Sequence, residues 1–313
     1  MEQFLNLILP FFVVILLGYT AGLLKWMPAS ALPNLIRFVM LFLLPPMLFE
    51  LLANTPFQKI ANVEFFVLYG LSSLTVFATT YILLKLVFKN TTLNAAYFAQ
   101  GCAMPNTGYL GLPMLTGILG PFAAVAVTIC LIVELLVVAP LTLFMATESN
   151  SEQSRLQAYK ALAQTVLKAI FTNPLIIATM VAITASYFQF KLPGFAQATV
   201  SILAKGATPI ALFSIGLALS QRSFSESSGE VWLMTIMRLA IHPLIIWVLV
   251  FHLFPQDRIF AVTAVLVSAL PMAANAYLLG ERGGANVQTI SAAILVTSVI
   301  SVASFTTILW MIQ

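Results

Sequence analysis

Apolar residues run in long blocks along this chain, and polar residues are confined to the short gaps between them. Ten blocks can be drawn, at 5–24, 33–53, 65–88, 94–119, 121–146, 160–186, 198–220, 231–254, 258–279 and 287–312. Each is close to the roughly twenty residues that a helix needs to cross the hydrocarbon core of a bilayer. None alternates apolar and polar positions as a barrel strand would. In lipid every backbone N–H and C=O needs an internal partner, so the blocks are predicted to be helices and the fold an all-α membrane protein with ten transmembrane passes. The longest polar connection, from Thr147 to Lys160, leaves no room for an extramembrane domain. It divides the chain into five passes over 1–146, a loop at 147–159, and five more over 160–313.

Composition narrows the class further. Hydrophobic residues make up 61% of the 313 and charged residues 8%, with a mean hydropathy of +1.02. A soluble chain carries about a quarter charged residues. A cytosolic enzyme, a disordered protein and a secreted disulfide scaffold are all excluded. The net charge of +4 points to no nucleic acid, because the basic residues are scattered singly. They report topology instead. Ten of them, Lys25, Arg37, Lys85, Lys89, Arg155, Lys160, Lys168, Arg222, Arg238 and Arg282, fall nearer one side, and four, Lys59, Lys191, Lys205 and Arg258, nearer the other. The richer side is expected to be cytoplasmic, which puts the 147–159 loop inside and both termini outside. The N-terminal run lacks a basic segment and a small-residue cleavage site, so it reads as a first span and not a signal peptide. Cys102 and Cys130 sit in apolar blocks without metal-type spacing and read as buried thiols.

The prolines carry a second pattern. Pro10, Pro28, Pro46 and Pro105 are followed by Pro174, Pro193, Pro209 and Pro271 at offsets of 164, 165, 163 and 166. Near-constant spacing over almost a hundred residues predicts two copies of a five-span unit. Five is odd, so the second copy enters from the opposite face, and the repeat is inverted, as in many secondary transporters.

Two spans in matching positions are rich in helix breakers. The fourth carries Pro105, Gly108, Gly111 and Pro113, and the ninth carries Pro271 followed by small residues. Proline removes a donor and clashes with the preceding turn, so both helices are expected to break there. Second half-helices are expected to begin near Asn106 and Met272. Their N-terminal dipole ends favour an anion. Asn106 and Asn275 add amide donors beside the breaks, Thr107 adds a hydroxyl, and Tyr109 and Tyr277 follow in both copies. These five are the candidate substrate-binding residues; the alternative is a pair of packed proline kinks.

The stretches NLIRFVMLFLLPPMLFELLA (34–53), MPNTGYLGLP (104–113) and LPMAANAYLLGERGG (270–284) together resemble the auxin efflux carrier family in its bacterial branch, which includes malonate and malate carriers. The resemblance covers the whole chain. It implies ten spans, an inverted five-plus-five repeat and crossing of spans four and nine at their prolines. Pro105, Asn106, Pro271 and Asn275 fall on the crossover motif. It also implies organic-anion transport, a scaffold of spans 1, 2, 6 and 7, a moving unit of spans 3–5 and 8–10, and a homodimer joined through the scaffold. The double proline in LLPPMLF departs from the family pattern.

Three polar residues lie deep inside spans. A charge at a helix centre costs about 2.5–3.5 kcal/mol on insertion scales, so Glu134 is expected to be paired, protonated or inward-facing. It reads either as a proton-coupling carboxyl or as a structural hydrogen-bonding group. Arg238 and His242 share a helix face at i, i+4. Arg238 reads as a carboxylate-attracting residue, a partner of Glu134 or a side chain reaching toward the span end, and His242 as a packing residue. No Walker loop, metal cluster, Ser/His/Asp set or dinucleotide fingerprint is present. The expected function is therefore a carrier of mono- or dicarboxylates in the bacterial inner membrane, without cofactor or metal, coupled to protons, to sodium or to neither. The rivals are a sodium-coupled carrier of the bile-acid-symporter kind, a membrane ligand sensor and, more distantly, an intramembrane enzyme.

Overall fold

A computed structural model describes residues 2–28, 30–146, 160, 163–164, 166–168, 170–221, 228–273 and 275–312. Over these the backbone is helical nearly throughout, and the single extended pairing is a bridge between Pro105 and Met272. The helices are α1 (Glu2–Leu23), α2 (Ala31–Ala53), α3 (Val63–Leu86), α4 (Thr92–Ala103), α5 (Thr107–Leu119) and α6 (Ala123–Ala146), then α7 (Pro174–Tyr187), α8 (Gly194–Ser220), α9 (Gly229–Leu253), α10 (Arg258–Ser268), α11 (Asn275–Gly283) and α12 (Val287–Ile312). The polar loop assigned to 147–159 lies outside the described residues.

Six helices are long and apolar enough to cross a membrane alone: α2, α3 with the turn from Phe57 that leads into it, α6, α8, α9 and α12. That is four fewer than the ten apolar blocks, and three of those four are interrupted by breaks. α4 and α5, and again α10 and α11, divide single blocks at the breaks around Pro105 and Pro271. The sixth block is interrupted at Asn173, and Pro174 opens a new helix. There Asn173 caps α7, its Oδ1 accepting from the N–H groups of Leu175 (2.9 Å) and Ile176 (3.4 Å). Replacing a side-chain cap costs about 0.5–2 kcal/mol, so Asn173→Ala is expected to lower the melting temperature of the purified protein by a few degrees.

The chain falls into two compact units. The first comprises Met1–Asn62, Gly108–Thr128 and Thr172–Ser223; the second comprises Val63–Thr107, Ile129–Phe171 and Phe224–Gln313. In the first unit α1 packs along α8 at very short range. A Cβ on Gly18 would strike the Phe213 carbonyl, one on Gly216 would strike the Ile15 carbonyl, and one on Gly22 would strike Ser220 Oγ. Lipid tails are as apolar as leucine, so helices in a bilayer associate through close backbone approach over small residues. In the same unit Ser186 Oγ of α7 donates to the Thr55 carbonyl at 2.6 Å. In the second unit a core of Val76, Phe98, Met234, Met237, Met272 and Ile290 joins α3, α4, α9 and α12 to the break after α10.

Five helical turns widen to the π form: Val39–Leu43, Thr107–Gly111, Glu134–Val138, Met237–Ile241 and Leu249–Leu253. Each ends two residues before a proline, namely Pro45, Pro113, Pro140, Pro243 and Pro255. A helical proline cannot donate, and its ring crowds the carbonyl four residues back. Shifting the preceding bonds to the fifth residue back opens the turn and relieves that clash. Thr107, Glu134 and Arg238 all lie on these wide turns.

Candidate crossover site

α4 stops because Pro105 follows it. The residue before a proline is pushed out of helical geometry, and Met104 is extended at φ −108°, ψ 99°. α10 stops at Ser268, and Pro271 to Ala273 run without helical bonds before α11 starts at Asn275. The second break is thus longer than the sequence indicates, because Met272 joins the extended segment instead of opening the next half-helix. The two segments lie antiparallel. Asn106 donates its backbone N–H to the Pro271 carbonyl at 2.9 Å, and Ala273 donates to the Met104 carbonyl at 3.4 Å. Pro105 pairs with Met272. The Met272 N–H is held by Thr297 Oγ1 of α12 at 3.3 Å. Gly101 allows this approach, since a Cβ there would run into the Met272 side chain. The Asn106, Met272 and Ala273 N–H groups and the Met104 and Pro271 carbonyls thus find partners within the protein, as a helix interrupted at membrane depth requires.

Arg238 secures the entering half-helices. It is fully buried and donates Nη1 to the Cys102 carbonyl at 2.7 Å, Nε to the Leu270 carbonyl at 3.1 Å, and Nη2 to the Ser268 carbonyl. Cys102 lies in the last turn of α4, Ser268 ends α10 and Leu270 follows it. Helix C-termini present unpaired carbonyls and the negative end of the dipole, both of which a guanidinium complements. Nη1 also donates to His242 Nδ1 at 2.8 Å. Arginine has no acceptor, so His242 accepts there and carries its proton on Nε2, which is buried without a partner among the described residues. Arg238 is thus enclosed, not extended to a span end, and none of these bonds reaches Glu134.

Glu134 holds the departing half-helix. It is 2% exposed, and its Oε1 accepts from Thr107 Oγ1 at 2.5 Å and from Tyr69 Oη at 3.0 Å. Thr107 is the first residue of α5, and the Tyr69 ring lies 6.0 Å from that of His242. A connected set therefore runs from Thr107 through Glu134, Tyr69 and His242 to Arg238 and the ends of α4 and α10. Among the described residues Glu134 and Arg238 are the charged side chains that are fully buried.

The structure gathers some of the residues that the sequence nominates. Asn106, half-buried, and Asn275, exposed, flank the crossing, and neither amide is engaged among the described residues. Thr107 is buried, with its hydroxyl committed to Glu134. Tyr277 is half-buried in the first turn of α11, its hydroxyl 3.4 Å from Glu281 Oε1. Gly108, Tyr109 and Gly111 belong to the first compact unit, and the Tyr109 hydroxyl is buried there beside Ser214 without a well-formed hydrogen bond. No group of three metal-ligating side chains occurs among the described residues.

A model of the membrane transport protein family matches residues 3–311. The chain belongs to that family, which is the auxin efflux carrier family. It is 31% identical over 323 residues to a Rhizobium meliloti (strain 1021) protein described as a "Putative malonate transporter", covering 100% of this chain and 97% of that one. It is also 23% identical over 299 residues to the "Uncharacterized transporter YfdV" of Escherichia coli (strain K12), covering 94% and 93%. An "Uncharacterized transporter" of Methanothermobacter thermautotrophicus matches at 28% over 203 residues, 64% of this chain. This auxin efflux carrier homologue is thus a multi-pass membrane protein of a transporter family. Sequence reasoning missed Tyr69 in its buried network and the carbonyls that Arg238 holds. A tyrosine inside an apolar run gives no signal, and backbone carbonyls leave no trace in residue identity.

Proposed function

We propose that the protein is a secondary carrier of small organic anions, mono- or dicarboxylates, that bind at the crossing of the two broken passes. The observation that carries this reading is the pairing of the Pro105 and Pro271 segments with two amides beside them, Asn106 and Asn275, that are unengaged among the described residues. The half-helices α5 and α11 begin at these positions, and the first N–H groups of a helix lack internal acceptors. Positive dipole ends and neutral amide donors attract a carboxylate without demanding a second buried charge. The relative from Rhizobium meliloti supports malonate-like dicarboxylates as the first compounds to try.

In this reading α1, the broken passes α4–α5 and α10–α11 and the sixth block, which ends in α7, join the six long helices to make ten passes in an inverted five-plus-five repeat. Spans 3–5 and 8–10 shift against a dimeric scaffold of spans 1, 2, 6 and 7. The protein lies in the bacterial inner membrane with both termini outside. Most of unit one belongs to the scaffold spans and most of unit two to the moving spans, which supports that division.

The test is melting of the purified protein against malonate, malate, oxalate and indole-3-acetate, with flux into liposomes measured for any hit. A ligand at about a hundred times its Kd adds about 2.7 kcal/mol, a shift of several degrees. Asn275→Ala is expected to melt as the parent does but to lose the ligand shift and the flux. No shift with any carboxylate, or a shift untouched in both Asn275→Ala and Asn106→Ala, would count against the site.

A further inference from the structure

The carbonyls of Cys102, Ser268 and Leu270 converge from the ends of two half-helices onto one point inside the second unit. Three backbone oxygens at helix C-termini, enclosed and turned inward, make an arrangement of hard ligands and negative dipole ends. In transporters built on broken helices this arrangement coordinates a monovalent metal ion. Here the point is already taken. The Arg238 guanidinium is 0% exposed and spends four of its five N–H donors on these three oxygens and on His242 Nδ1. Its charge is delocalised and weakly hydrated, so a guanidinium is less costly to hold away from water than a compact cation.

We infer that Arg238 is a built-in cation, a positioning residue that stands where a coupling metal ion would bind, so that the crossing is assembled without sodium or potassium. The neighbouring groups agree with this assignment. Glu134, the one fully buried acid among the described residues, spends Oε1 on Thr107 and Tyr69, and none of the Arg238 hydrogen bonds goes to it. His242 offers only an Nδ1 that already accepts from Arg238. The inference deepens the carrier reading by assigning the ion requirement of the same crossing, and it rests on that reading only for its transport consequence. The structural part is testable without any substrate.

The first measurement is the melting temperature of the full-length protein, free of carboxylate ligand, in sodium, potassium and choline chloride at equal ionic strength. Equal values in all three are expected, and stabilisation by sodium over choline would overturn the inference. The second uses Arg238→Ala, which empties the point while leaving the carbonyls. Its melting temperature is expected to fall in choline and to recover by about 2–4 °C or more with millimolar guanidinium, well below denaturing levels. A folded variant indifferent to guanidinium and to both metal ions would overturn it. Should that variant not accumulate, Arg238→Lys and Arg238→Met separate charge from bulk. Lys is expected to retain membrane accumulation and Met to lose it, and the reverse order would be fatal. Once a carboxylate ligand is found, its uptake rate is expected to be the same in sodium and choline media. Failure of every carboxylate to bind would sink the substrate assignment and leave the cation result standing.

Discussion

Replacing Glu134 with leucine is expected to remove most of the folded protein from the membrane. The carboxylate accepts two buried hydroxyl donors on one oxygen, Thr107 at 2.5 Å and Tyr69 at 3.0 Å. Leucine leaves both donors without acceptors, at about 1–3 kcal/mol each. Two buried donors left without acceptors take a large part of the stability of an ordinary domain. Glu134→Gln keeps an acceptor oxygen in the same place, so it should accumulate well above the leucine variant and melt closer to the parent. Comparison of the three by detergent size-exclusion and thermal melting checks this. A leucine variant as stable as the parent would show that the two hydroxyl contacts contribute nothing. Because Thr107 follows Asn106, the glutamine variant is also expected to bind any carboxylate ligand more weakly, by loosening the start of α5.

The second large effect lies in the first unit. Gly216→Ala places a methyl group on the Ile15 carbonyl and the Tyr19 amide, and Gly18→Ala places one on the Phe213 carbonyl. The obstacles are backbone atoms of a neighbouring helix, so no side chain can rotate away and α1 must separate from α8. Overpacking typically costs about 1–3 kcal/mol when side chains can give, and here the cost should reach or exceed the top of that range. Either variant is expected to aggregate or melt many degrees below the parent. Gly194→Ala, where an added Cβ meets nothing within 4 Å, is the control. A Gly216→Ala protein that melts with the parent would mean that α1 and α8 can part at little cost.

Hydrophobic blocks and prolines made the helical class and the sites of the two breaks legible from the sequence, because both act locally. Pro105 and Pro271 forbid a helix whatever surrounds them. The length of the second break was not legible. Met272 leaves the helix to pair with Pro105 across 167 residues of chain, and no local propensity encodes that pairing. Asn106 and Asn275 could be nominated because polar amides beside a break stand out among apolar neighbours. Tyr69 could not, since its role exists only once Glu134 is beside it. For Arg238 the sequence left three roles open, and the bonds formed are mostly to carbonyls, which every residue possesses. The wide turns were equally hidden, because a proline in a transmembrane helix announces a distortion but not its form.

Those wide turns carry an arithmetic consequence. Relative to an uninterrupted α-helix, each accommodates one extra residue, and one residue corresponds to about 100° of rotation about the axis. Side chains beyond the turn therefore face a direction that counting by 3.6 from the near side does not give. In α6 the residues after Val138, and in α9 those after Ile241, are swung round by about a quarter-circle or slightly more. The extra residue and the proline two places later form a compensated pair of sequence changes. Deleting the residue alone drives the proline ring against a carbonyl; replacing the proline alone leaves a loosened turn with nothing to loosen it. Only the double change gives back a regular helix, and it then presents a different face to every neighbour downstream. Alignments of related chains are accordingly expected to show single-residue gaps that appear and vanish together with these prolines.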